Sequence, residues 1–69
     1  MSAAEARPLR IAYVRLIQAA LAIHMEIMDD PSLAGGPHLD NILKSINTAR
    51  ANIERVATAE GIDLVGEDA

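Results

Sequence analysis

The chain has no cysteine, phenylalanine or tryptophan, and a single tyrosine, Tyr13. Without cysteine it lacks disulfides and cysteine-ligated zinc, which stabilise many chains as short as these 69 residues. The scarcity of aromatic residues disfavours a small β-barrel or β-sandwich. Yet 51% of the residues are hydrophobic, almost all of them aliphatic. We therefore expect one all-helical domain that gains stability from a partner, because so short a chain buries little surface alone.

The sequence also lacks a long uninterrupted apolar run. Its richest apolar stretch, residues 11–28, is broken by Arg15, Gln18, His24 and Glu26, whereas a membrane span needs about 20 mostly apolar residues. Charges inside the stretch also disfavour a signal peptide. We expect a cytoplasmic protein that does not enter a membrane.

Basic residues are few, and the net charge of −4 has the wrong sign for a general nucleic-acid binder. Residues 1–23 sum to +2, 24–40 to −4, 41–60 to +1 and 61–69 to −3. This division predicts a bipolar molecule that could dock electrostatically, unless the arginines pair with Glu54, Glu60 or the acidic tail. The charged residues proposed for docking are Arg7, Arg10, Arg55, Asp29, Asp30 and Asp40.

Prolines delimit the first predicted helix. Pro8 suits a first helical position, which makes residues 1–7 a flexible leader and starts helix 1 at about residue 8. Ser2 and Glu5 have the spacing of a capping box, and the competing interpretation starts the helix there and lets Pro8 kink it. Pro31 ends helix 1 at about residue 29.

The second helix follows a connection over residues 30–36 that contains Gly35 and Gly36. Pro37 begins helix 2, which runs over about 37–60 and ends at Gly61 in a left-handed conformation, with Ile62 completing the cap. Residues 63–69 form an acidic tail. Two helices of equal length on a short connection predict an antiparallel hairpin over 8–62.

The two helices differ in their apolar patterns. Helix 2 has one coiled-coil-like seam, predicted to form the hairpin core with one seam of helix 1. These core residues are Leu39, Ile42, Ile46, Ala49, Ile53 and Val56 on helix 2, and Leu9, Tyr13, Leu16, Ala20, Ile23 and Ile27 on helix 1. Helix 1 carries a second seam beside the first, formed by Arg10, Val14, Ile17, Leu21, His24 and Met28.

The second seam of helix 1 has no cover within a two-helix chain, and soluble monomers rarely expose so large an apolar stripe. A second copy is the simplest cover, since two-fold dimers are the commonest oligomers. We therefore predict a four-helix bundle with helix 1 central and this seam at the dimer interface. His24 is then either satisfied inside the interface or makes the dimer sensitive to pH below about 6.

Residues that could carry chemistry are sparse. His38 and the acidic residues at the turn match no metal motif, and Gly35 and Gly36 precede Pro37, which has no backbone N–H for a phosphate. The chain is too short to enclose a sizeable pocket. We expect no metal, no cofactor and no enzymatic activity.

These observations favour a protein-interaction module. We expect a homodimeric hairpin that binds a larger protein, such as a transcription regulator, and inhibits it by covering a functional surface; small phage-encoded regulators are often built in this way. A nucleic-acid-associated dimer that uses its arginine-rich end is one alternative. A structural subunit of a hetero-complex is the other.

Overall fold

The computed structural model describes residues 3–65 and contains two long helices. Helix α1 spans Ala3–Asp29, a 3₁₀ helix spans Pro31–Leu33, and helix α2 spans Pro37–Glu60. The described part of the chain contains no strand. The fold is thus an all-α helical hairpin. The predicted leader residues 1–2 and tail residues 66–69 lie outside the described residues.

Helix α1 begins five residues earlier than the leading prediction. The flexible leader is wrong for residues 3–7, which are helical, and Pro8 lies inside the helix. The start is favoured by alanine-rich sequence and by Glu5 in the first turn, where the helix dipole stabilises negative charge. Pro8 costs little so close to the helix start, because its missing N–H removes only the bond to the carbonyl of Ala4.

The connection between the helices is held by its own polar groups. The carboxylate of Asp30 accepts hydrogen bonds from the backbone N–H of Ser32 at 3.2 Å and from its Oγ at 2.6 Å. These bonds cap the 3₁₀ helix, which the sequence analysis did not predict. Gly35 has a φ of 82°, a left-handed conformation that favours glycine. The chain reverses here, and α2 starts at Pro37 as the sequence indicates.

Helix α2 ends in a left-handed glycine cap. Gly61 has a φ of 70°, and the N–H of Ile62 donates to the carbonyl of Ala57 at 2.8 Å. This is the bond pattern of a Schellman motif, which satisfies carbonyls at the end of a helix. Ile62 is half-buried. The cap therefore agrees with the conformation that the Gly61–Ile62 pair predicts.

The hairpin is a single layer of helices. Its principal extents are 44 × 23 × 14 Å, and its radius of gyration is 14.4 Å, against about 11 Å for a compact domain of this length. Among the described residues only Ala20 and Ala57 are buried, and no large side chain is fully buried. Stable domains pack two or more layers around a core. The described hairpin has only one layer.

Candidate interaction surface

One stripe of α1 is shielded by α2. Its members recur every three or four residues, so they share one face of the helix. Ala20 is buried and the others are half-buried: Leu9, Tyr13, Leu16, Ala20, Ile23 and Ile27. The structure places on this face all six α1 residues assigned to the hairpin core.

Helix α2 is rotated relative to its predicted packing. Leu39, Ile46, Ala49 and Ile53 are half-buried, as expected for core positions. In contrast, Ile42 and Val56 are exposed to 47% and 37%, so their assignment to the core is wrong.

Leu43 and Ala57 take the places of these two residues in the hairpin contact. Leu43 is half-buried and Ala57 is 3% exposed. The predicted and observed seams share Leu39, Ile46 and Ile53. At each of the other positions the observed seam uses the next residue along the chain. The observed seam contains the charged residue Arg50, so apolar spacing alone favours the predicted seam.

Arg50 belongs to a polar cluster that joins the two helices. Its guanidinium carbon lies 5.7 Å from the centroid of the Tyr13 ring, within range of a cation–π interaction. The Tyr13 hydroxyl donates a hydrogen bond of 2.5 Å to Glu54 Oε2. Arg50 is half-buried, and its Nε is buried without a hydrogen-bond partner. Half-buried Arg50 thus occupies a seam position that a purely apolar pattern assigns to Ala49.

The opposite side of α1 carries an exposed apolar stripe. Its residues follow a 3-4-3-4-3 spacing, and Gln18 is the only polar member. The exposed fraction rises from 38% at Ile11 to 56% at Leu21 and 77% at Met28. We call this set the α1 stripe: Ile11, Val14, Gln18, Leu21, Met25 and Met28.

The predicted dimer-interface residues lie on and beside the α1 stripe. Val14, Leu21 and Met28 belong to it, while Ile17 and His24 are exposed on one flank. Arg10 lies on the same flank but is half-buried, and its Nε donates a hydrogen bond of 3.0 Å to the carbonyl of Asp63.

Ile11 and Met25 are the apolar stripe residues that lie outside the predicted interface. Both are exposed large hydrophobic residues. The signal was present, because each extends the apolar spacing of Val14, Leu21 and Met28 by three or four residues. The predicted seam runs through Ile17 and His24 instead, because Gln18 interrupts the apolar spacing between Val14 and Leu21.

The charged residues proposed for docking are divided between the two ends of the hairpin. At the open end, Arg7 is exposed, Arg10 contacts Asp63, and Arg55 donates a hydrogen bond to Asn52 Oδ1.

At the turn end, Asp29 is exposed and Asp30 caps the 3₁₀ helix. Asp40 lies 3.9 Å from the Nζ of Lys44, and both side chains are largely exposed. The turn end therefore keeps an acidic surface open to solvent.

The described residues bring together no group of three or more histidine, aspartate or glutamate side chains suited to a metal ion. By length and composition alone, residues 4–29 of α1 could cross a membrane, a criterion that core helices of soluble proteins and signal sequences also meet. The exposed apolar surface is thus the most prominent feature of the described hairpin.

Comparisons with protein-family models, with curated proteins and with solved structures find no match.

Proposed function

We propose that the protein is a non-enzymatic interaction module, a hairpin that dimerises through the α1 stripe into a four-helix bundle and then binds and inhibits a larger protein. The observation that carries this proposal is the exposure of the stripe. Leu21 and Met25 are each 56% exposed and Met28 is 77% exposed. Contiguous apolar surface of this kind marks interaction sites in soluble proteins.

The exposed area supports a second copy as the cover. The accessible surface of the hairpin is 4953 Å² for a mass of 7.4 kDa. A compact monomer of that mass exposes about 4200 Å², roughly 700 Å² less. One partner in a standard interface buries about 800 Å². The excess therefore matches what one protomer of a stable dimer buries.

A dimer would also supply the missing second layer. Two hairpins packed through α1 place the α1 stripes between two layers of helices, which is the arrangement of a four-helix bundle. A two-fold dimer needs only one self-complementary surface. The α1 stripe, with its regular spacing, has the pattern for such packing.

The larger target is expected at the surfaces that the bundle leaves open. Asp29, Asp30 and Asp40 form an acidic turn end in each hairpin, and charge complementarity favours a basic target surface. A DNA-binding face of a transcription regulator has that charge. Covering such a face inhibits the regulator without any catalytic group.

Sedimentation equilibrium of the full chain at micromolar concentration tests the dimer. We expect a dimer for the wild type and dissociation for Leu21→Asp, which places an unpaired charge in the stripe. Thr48→Asp is the matched control, because Thr48 is exposed on α2 and the same charge there leaves the dimer intact. A well-folded wild-type monomer at this concentration contradicts the proposal.

Two further measurements test whether the protein binds a lipid bilayer or a nucleic acid instead of a second copy of itself. Co-sedimentation with phosphatidylcholine vesicles detects a bilayer as the cover, and a monomer that binds these vesicles overturns the proposal. Gel shifts with DNA and RNA at moderate salt detect phosphate contacts, whose affinity falls steeply with salt. We expect no binding in either experiment.

Affinity capture from the native cell tests the target. The wild-type dimer should retain a protein that the variant Asp40→Asn loses, and the purified target should lose activity when the wild type is added. Equal retention by both proteins contradicts the acidic docking surface. Retention without loss of activity contradicts inhibition.

A further inference from the structure

The charge distribution along α1 points to the orientation of the second copy. Arg7, Arg10 and Arg15 lie in the first half of the helix, and Glu26 and Asp29 lie near its end. We infer that the two α1 helices pack antiparallel, each basic half beside the acidic end of the other. This inference rests on the proposed dimer and specifies its geometry.

The stripe itself can pair with an inverted copy along its full length. With the two-fold axis between residues 19 and 20, Ile11 faces Met28, Val14 faces Met25, and Gln18 faces Leu21. Each of the six stripe positions then meets a stripe position of the mate, which is the layer pattern of an antiparallel coiled coil.

The flanks of the stripe supply the charge complementarity. Arg15 and Asp29 directly follow the stripe residues Val14 and Met28, so both lie on the same flank of α1. In an antiparallel pair the matching flanks of the two copies meet. At a rise of about 1.5 Å per residue, Arg15 lies within about 8 Å along the axis of both Glu26 and Asp29 of the mate.

These charges are available in the hairpin. Arg15, Glu26 and Asp29 are all exposed, and none has an ion-pair partner among the described residues. The opposite flank carries Ile17 and His24, so it adds apolar contact instead of a second set of acids. Pairing across the interface gives the three charged residues opposite charges that the single chain does not provide.

A parallel dimer would not bring these charges together. The flank that carries Arg15 and Asp29 would face the opposite flank of the mate, which carries Ile17 and His24, so the charges would meet no opposite charge across the interface. Gln18 would meet Gln18 and could pair through the side-chain amides. The opposite-charge pairings of Arg15, Glu26 and Asp29 exist only in the antiparallel arrangement, which is therefore the one with complementary ends.

Disulfide trapping distinguishes the two orientations without background, because the chain has no cysteine. Leu21→Cys lies near the inferred two-fold axis, and we expect it to cross-link with itself under an added oxidant. Val14→Cys and Met25→Cys should each fail to cross-link alone but form a mixed disulfide when combined. Thr48→Cys, on the exposed side of α2, is the negative control.

The alternative outcomes have distinct meanings. Efficient self-cross-linking of Val14→Cys and of Met25→Cys would establish a parallel pair and overturn this inference, while the dimer and the proposed function stand. Cross-linking of none of the stripe variants, together with a monomer in sedimentation, would overturn the proposed function as well.

Charge reversal provides a readout that does not depend on cysteine. Arg15→Glu and Asp29→Arg should each weaken dimerisation by up to about tenfold at low salt, and the combined variant should recover part of this loss, because Glu26 of the mate still faces position 15. Circular dichroism confirms that each variant keeps its helices. An unchanged dissociation constant in both single variants contradicts the antiparallel orientation.

Discussion

The Tyr13 hydroxyl donates a 2.5 Å hydrogen bond to Glu54 Oε2, joining α1 to α2 across the hairpin. Both residues lie toward the open end, where Arg10 also reaches the carbonyl of Asp63. In a hairpin whose only buried residues in the described region are two alanines, directional contacts of this kind help to fix the rotation of one helix against the other. The stability of the hairpin should therefore respond to their removal.

Tyr13→Phe should lower the free energy of unfolding by about 1 kcal/mol, the typical net contribution of one hydrogen bond. The ring remains beside Arg50, so the change isolates the hydroxyl. Urea unfolding at a fixed protein concentration measures the effect, since the stability of a self-associating chain depends on concentration. Glu54→Ala, which removes the acceptor, and the double variant complete a mutant cycle, and fully additive effects would contradict the coupling of the two side chains.

Leu43→Ala should destabilise the hairpin by about 1–2 kcal/mol, because a half-buried leucine side chain leaves the contact with α1. Ile42→Ala is the matched comparison one position earlier. It should change stability by less than about 0.5 kcal/mol, because Ile42 is 47% exposed and alanine favours helix. Thermal and urea unfolding report both values. A larger loss of stability for Ile42→Ala than for Leu43→Ala would instead support the seam that the sequence pattern predicts.

Pro8→Ala should stabilise the protein by about 0.5–1 kcal/mol, since it restores a single N–H that can donate to the carbonyl of Ala4 near the start of α1. Helical circular dichroism should not decrease. The measurement decides where α1 begins. If residues 3–7 were a leader and Pro8 the first helical residue, the substitution would bring no gain in stability.

Gly61→Ala should cost about 1 kcal/mol, because Gly61 has a φ of 70° and a Cβ disfavours the left-handed conformation. The space around a Cβ at this position is open, so backbone strain is the only expected cause. Gly61→Asn should fall between glycine and alanine, since asparagine tolerates this conformation better. Equal unfolding midpoints for all three proteins would show that the cap does not contribute.

Much of the hairpin could be predicted from the sequence because its boundaries are set by local chemistry. Pro31 stops α1, Pro37 starts α2, and Gly61 ends α2 through backbone constraints that act within a few residues. The start of α1 was mispredicted because Pro8 suits a first helical position and is also tolerated near the beginning of an existing helix. The favourable alanines before it decide between the two.

The packing could be predicted only in part. The α1 face toward α2 follows from spacing, but on α2 two seams share three residues, and the choice between Ile42 and Leu43 depends on tertiary contacts. Arg50 shows why. A pattern of apolar and polar residues assigns a charged residue to solvent, whereas Arg50 is half-buried with its guanidinium group over the Tyr13 ring.

The thickness of 14 Å has a consequence for the backbone amides of the hairpin. In a layer one helix deep, an amide is screened from solvent by its own helix and a single neighbour. In an isolated hairpin, each backbone amide would exchange its proton for deuterium whenever its helix opens locally, so no group of amides would exchange slowly. Slow uptake confined to the middle of α1, and dependent on protein concentration, would map the footprint of whatever covers it.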